Sequence, residues 1–135
     1  MRKGDALAAG AVAAVVSGAP STLWALSTGG DPLAATLAAG SVLLPRETRR
    51  GRLAAAAVPL HLALSFGWAV VLERTLPRRH EVAAGAAAGV AIAALDLGVA
   101  GRLFPRIRAL PLLPQLADHV AYGLTVGYVL ARRRR

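Results

Sequence analysis

The feature of this sequence that most constrains its fold is an apolar run over residues 82–101, which contains one ionisable residue, Asp96. An α-helix needs about 20 apolar residues to cross the hydrocarbon core of a bilayer. Arginines flank the run on both sides, at Arg78, Arg79 and Arg102. Basic residues at both ends of an apolar run are typical of a transmembrane helix, so the run predicts that the chain lies in a membrane.

Two glycines of this run, Gly85 and Gly89, share one face of the predicted helix, and Gly123 and Gly127 repeat the spacing near the C-terminus. Small residues at this spacing allow two membrane helices to approach closely, where lipid provides no hydrophobic driving force for association. The four glycines therefore predict helix–helix contacts, but they do not identify the partner.

The composition agrees with a membrane location. Of 135 residues, 56% are hydrophobic, which is more than an ordinary soluble domain contains. The length suits one domain. The sequence has no cysteine, which excludes disulfides, thiolate metal sites and cysteine nucleophiles.

The formal net charge of +9 would indicate a nucleic-acid partner if the chain were soluble. Here the basic residues form short clusters between apolar runs, as they do at the ends of membrane helices. No sequence signature of a nucleic-acid-binding fold accompanies them. We therefore predict that the partner is the lipid bilayer, with a second copy or a membrane partner protein as a further candidate, and that nucleic acid is not bound.

We predict an all-α fold, an integral membrane four-helix bundle that occupies residues 1–135 as a single domain. The predicted spans cover residues 5–29, 53–72, 82–101 and 114–131. The connector from Arg102 to Gln115 contains three prolines, so no long helix is expected there. Nine Lys and Arg residues fall on the side of the termini and seven on the other, which favours cytoplasmic termini by a small margin.

The first predicted span has a rival interpretation as a signal peptide, with Ser17, Gly18 and Ala19 as the cleavage site. Asp5 interrupts the basic start of such a peptide, and apolar sequence resumes after Pro20. These features favour an uncleaved span. Pro20 should kink this helix or start a second half-helix, because proline lacks a backbone donor.

The apolar segment within residues 31–45 is shorter than the four predicted spans. Asp31 is a good N-cap, Pro32 a good first helical residue, and Pro45 stops the run. The apolar part, about twelve residues, is short for a span. We predict one additional short interfacial or re-entrant helix, with a fifth span as the alternative.

Four polar side chains form a predicted intramembrane cluster: His61, Asp96, Asp118 and His119. At 1.5 Å per residue, all four lie within roughly 13 Å of the same membrane surface. A carboxylate in a span requires a partner, and His61 is predicted to be the partner of Asp96. The cluster fits hydrogen bonds that hold the helices in register, a site for protons, ions or a small ligand, or a metal site. For Asp118 a favourable interaction with the dipole of its own helix is a further explanation.

The sequence lacks the hydrolase, metalloprotease, P-loop and dinucleotide-binding motifs, so we predict no enzyme, no catalytic residue, no metal and no cofactor. The predicted function is that of a structural or assembly component that packs through its glycine-rich helix faces. A small transporter or channel subunit that uses the intramembrane histidines and aspartates is the alternative.

Four motifs carry a resemblance: residues 17–22 (SGAPST), 31–33 (DPL), 95–98 (LDLG) and 114–123 (PQLADHVAYG). Together they resemble a group of small, uncharacterised multi-span integral membrane proteins of high-GC actinobacteria. The fourth predicted span, residues 114–131, is similar to the YagU-like inner-membrane proteins. The resemblance implies a multi-pass protein of a bacterial plasma membrane. It implies no activity and assigns no residue roles.

Overall fold

The computed structural model describes residues 4–135, and the regular elements of this part of the chain are all helices, as predicted. In chain order they are α1 (Asp5–Val16), α2 (Ala19–Thr28), α3 (Ala34–Leu43), α4 (Arg50–Thr75), α5 (Glu81–Leu95), a π-helical turn (Asp96–Ala100), α6 (Gly101–Leu103), α7 (Pro105–Arg108) and α8 (Leu112–Arg133).

Within residues 4–135, three helical stretches are long and apolar enough to cross a membrane. They are Asp5–Thr28, which joins α1 and α2, Arg50–Thr75, and Glu81–Leu103. Helix α8 has 22 residues, but it is not among the three. Its first half carries Gln115, Asp118 and His119, which lower its hydropathy. The fold is therefore all-helical with three helices suited to a membrane, and the fourth span stays a prediction.

The first apolar stretch is divided in two, as the proline predicted. Helix α1 ends at Val16, and α2 starts at Ala19 with Pro20 in its first turn. Proline is tolerated at that position because the first amides of a helix have no intrahelical partner to lose.

The short helix α3 lies against the start of α4. At Gly40 an added Cβ would clash with the backbone of Leu53, so the two helices touch at the main chain. Ahead of α3, Asp31 accepts hydrogen bonds from the Arg50 guanidinium at 2.6 and 3.0 Å. The predicted N-cap at Asp31 is wrong, since Leu33 occupies that position; Asp31 instead accepts from the Leu33 N–H at 3.0 Å. The Arg50 hydrogen bond, helped by Leu33, lowers the pKa of Asp31.

Ionic contacts define the two ends of the bundle. At one end, which we call the terminal end, Arg133 pairs with Asp5 at 2.8 Å and Arg134 lies 3.8 Å from Glu81. At the other, the loop end, Arg106 donates to the backbone carbonyl of Glu47 at 3.0 Å. The loop before α4 and helix α7 therefore meet at the end opposite the start of α1.

The buried core fills the half of the bundle toward the terminal end. Helix α5 pairs with α8, and α1 packs on both α4 and α8. The core side chains come from these four helices and the residue that follows α4: Ala9, Ala13, Ala69, Leu72, Leu76, Ile92, Tyr122, Val126 and Leu130.

Candidate functional site

The close crossing of α5 and α8 positions the side chains of the candidate site. An added Cβ at any of Gly85, Gly89, Gly123 or Gly127 would come closer than 3.0 Å to backbone atoms of the facing helix. At Gly85 it would meet the carbonyl of Gly123, and at Gly123 the carbonyl of Gly85. The two predicted glycine faces therefore pack against each other within one chain.

This close crossing brings the end of α5 beside the first half of α8. Asp96 Oδ2 lies 3.1 Å from His119 Nε2. The predicted partner of Asp96 was His61, and that prediction is wrong. His61 Nε2 instead lies 2.8 Å from the backbone carbonyl oxygen of Ala14, and it joins α4 to α1. Both histidines were on the correct side of the bundle, but only the helix crossing decided which one reaches Asp96.

The second nitrogen of His119 is also engaged. Nδ1 lies 2.7 Å from the backbone carbonyl oxygen of Gln115, one turn earlier in α8. A carbonyl oxygen only accepts hydrogen bonds, so Nδ1 carries a hydrogen and donates it. The remaining nitrogen, Nε2, then faces the Asp96 carboxyl.

Asp118 has a different structural role from the one predicted. It lies in the second turn of α8, beyond the range at which a carboxylate complements the dipole of that helix most strongly. Its Oδ1 accepts a hydrogen bond from the backbone N–H of Ser21 at 2.8 Å. Ser21 is in the first turn of α2, where backbone donors lack intrahelical partners. Asp118 therefore caps α2 from a distant part of the chain.

A cavity of about 860 Å³, open on one side, lies between the helices toward the loop end. All four residues of the predicted polar cluster line it: His61, Asp96, Asp118 and His119. Most of the remaining lining is apolar, with Trp68 and Tyr122 as its aromatic members. Helix α3 contributes Thr36 to the wall. On the side of the core, the Tyr122 hydroxyl donates to the carbonyl of Ser65 and ties α8 to α4.

The cavity differs in charge from the rest of the protein. Among residues 4–135 no lysine or arginine lines the cavity, whereas two of the seven Asp and Glu residues do. Elsewhere in residues 4–135 the carboxylates of Asp5, Asp31 and Glu47 each pair with arginine. Asp96 and Asp118 have no arginine partner among the described residues.

The backbone changes its winding at the cavity wall. The π-helical turn begins at Asp96, immediately after α5. Such turns are rare and frequently occur at functional sites. The π-helical turn was not predicted from the sequence, although Gly98 and Gly101 within the apolar run mark a region of weak helix propensity.

The residues described here form no group of three or more histidine, aspartate or glutamate side chains placed to hold a metal ion. Asp96 and His119 form a pair, while His61 and Asp118 are bonded to other elements.

Comparison of the chain with protein-family models, with curated proteins and with solved structures finds no match. The fold and the site themselves define the class to which the chain belongs. It is an all-helical protein with three helices suited to a membrane and with a cavity lined by two aspartates and two histidines.

Proposed function

We propose that this chain is a non-enzymatic, multi-pass protein of a bacterial plasma membrane that binds a small molecule in the cavity, as a small transporter subunit. The cavity is the observation that carries the proposal. Its volume of about 860 Å³ falls in the range of about 300–1,000 Å³ that is usual for ligand sites. Its apolar lining with a few convergent polar groups is also usual for such sites.

A carrier fits this cavity better than a channel. The cavity occupies the half of the bundle toward the loop end, and the other half is filled by packed side chains such as Leu72, Val126 and Leu130. A channel requires a continuous path, which this core interrupts. A carrier requires a site that opens to one side at a time.

The other two functions considered from the sequence have less support. Assembly through the glycine faces requires those faces to be free, but α5 and α8 use them on each other. Catalysis by His119 requires a nitrogen that can activate a nucleophile, and both of its ring nitrogens already have partners.

The proposal includes α8 as a fourth span and α3 as a helix that does not cross. A polar helix face is compatible with a membrane when it lines a cavity instead of contacting lipid, as Asp118 and His119 of α8 do. The ten residues of α3 measure about 15 Å, half the thickness of the hydrocarbon core.

This arrangement predicts that the two termini lie on the same side of the membrane. Reporter fusions at the N-terminus and at the C-terminus should score the same compartment, because four crossings return the chain to its starting side. A fusion in the loop between α3 and α4 should score the opposite compartment. Termini that score on opposite sides would instead indicate an odd number of spans, three or five, and would refute the arrangement.

The cavity itself is tested by chemical accessibility, which is simple in a chain without cysteine. Leu64→Cys in α4 lines the cavity, whereas Val90→Cys in α5 is similarly exposed but is not part of the lining. A charged thiosulfonate reagent should modify Leu64→Cys at least about ten-fold faster, because hydrocarbon excludes the reagent from lipid-facing positions. Equal rates at the two positions would contradict a solvent-accessible cavity.

A further inference from the structure

We infer that the ligand of the cavity is an organic cation with a large apolar body, and that it binds in exchange for one proton held by Asp96 and His119. This inference rests on the proposed function of the cavity and names its ligand.

The hydrogen bonds of His119 require a proton between it and Asp96. Nδ1 donates its hydrogen to the Gln115 carbonyl, so Nε2 of a neutral ring would present a lone pair. An ionised Asp96 would also present lone pairs at 3.1 Å. Two acceptors do not bond, so the pair holds a proton, as imidazolium and carboxylate or as imidazole and carboxylic acid. Both forms have a net charge of zero.

Release of that proton leaves one negative charge on the pair. The other titratable groups that line the cavity are Asp118 and Tyr122 on α8 and His61 on α4; the linings from α1, α2 and α3 contribute none. In the described part of the chain, no lysine or arginine lines the cavity to neutralise the charge. A ligand that replaces the proton must therefore bring a positive charge of its own.

The lining of the cavity determines the chemical character of the uncharged part of the ligand. An apolar lining excludes small hydrated ions, which lose their hydration at high cost. It accepts an apolar body, and Trp68 and Tyr122 offer aromatic rings that attract cations. A lipophilic ammonium or phosphonium ion satisfies both requirements.

The exchange balances in protons and in charge. In the imidazolium form the Nε2–H bond of His119 breaks, and in the carboxylic acid form the O–H bond of Asp96 breaks. In both cases the proton leaves to water and the cation takes its place beside the Asp96 carboxylate. His119 is then neutral and keeps its Nδ1–H bond to Gln115. The net charge of the occupied cavity equals that of the protonated cavity, so the exchange adds no uncompensated charge to it.

The test measures binding of tetraphenylphosphonium to the purified full-length chain in detergent between about pH 5 and pH 9, the range in which a histidine titrates. The dissociation constant should fall with rising pH by up to about ten-fold per unit, because one cation competes with one proton. Tetraphenylborate has the same shape and the opposite charge, and it should bind at least about ten-fold more weakly.

Three variants separate the roles of the residues. Asp96→Asn should weaken cation binding by at least about ten-fold, since the amide carries no charge. His119→Gln should still bind the cation but lose the pH dependence, because glutamine does not titrate. Asp118→Asn is the matched control, and it should keep the pH dependence.

The outcomes distinguish this inference from the proposed function. Equal binding of the phosphonium and the borate, as expected if a lipid chain is the natural occupant, would overturn the inference and leave the cavity as a ligand site. Binding that does not vary with pH, or that is lost in Asp118→Asn and not in Asp96→Asn, would also overturn it. If neither probe binds and Leu64→Cys is unreactive, the proposed function fails as well.

Discussion

Replacement of Gly85 and Gly89 together by alanine is expected to lower the free energy of unfolding in detergent by at least about 2 kcal/mol. The added methyl groups would meet backbone atoms of Gly123 and His119, and backbone cannot rotate away as a side chain does. The helices α5 and α8 must then separate along their whole contact. The expected result is a lower melting temperature and a larger population of unfolded or aggregated chain.

Gly67→Ala provides the matched control for this experiment. Gly67 lies within α4, and an added Cβ there meets no atom within 4 Å. Alanine in the interior of a helix is more favourable than glycine by about 0.5–1 kcal/mol, so this variant should be as stable as the natural sequence or more so. If both substitutions change stability equally, the effect comes from helix propensity and the crossing of α5 and α8 is not close.

The glycine crossing also positions the proposed site, because the same contact brings His119 to Asp96. At Gly89 an added methyl group would clash with the backbone of His119 itself. A chain that tolerates this substitution should therefore lose the pH dependence of cation binding before it loses its helices. Helix content measured by circular dichroism shows whether the helices are still present when the pH dependence is lost.

Asp96→Leu is expected to destabilise the protein by about 1–3 kcal/mol, because it leaves Nε2 of His119 without a partner in a partly buried position. Asp96→Asn should remain close to the natural stability. Its amide donates to Nε2 of a neutral His119, so the hydrogen bond persists although the charge is lost. Both variants lack the charge of Asp96 and differ in polarity, and their melting temperatures should be compared at the same pH.

The double variant Asp96→Leu with His119→Leu identifies the cause of the loss. If the unsatisfied nitrogen is responsible, removing it should recover part of the stability. If Asp96→Leu is as stable as Asp96→Asn, the bond between Asp96 and His119 contributes nothing and the pair has no structural role.

Much of the local structure followed from the sequence. Apolar runs of membrane length predicted the long helices, and Pro20 predicted the break between α1 and α2. The prolines after Arg102 predicted that no long helix forms there. These predictions succeed because they depend on neighbours in the chain, through backbone hydrogen bonding and transfer of side chains from water. The glycine pairs likewise indicated close contacts before any partner was known.

The partners of the polar groups depended on the tertiary structure. The spacing along each helix gave His61, His119 and Asp96 similar depths, but depth says nothing about which faces of different helices meet. The crossing of α5 and α8 places Asp96 in contact with His119. The close approach of α1 and α4 places the His61 ring beside the backbone carbonyl of Ala14.

What the sequence by itself determined about this protein is its helical character and its suitability for a membrane, since both are sums of local properties. What only the tertiary structure decided is the cavity, the contact between Asp96 and His119, and the cap that Asp118 provides to α2. The physical reason is that each of these features joins residues from different helices, and relative rotation of packed helices is set by contacts at distant positions such as the four glycines.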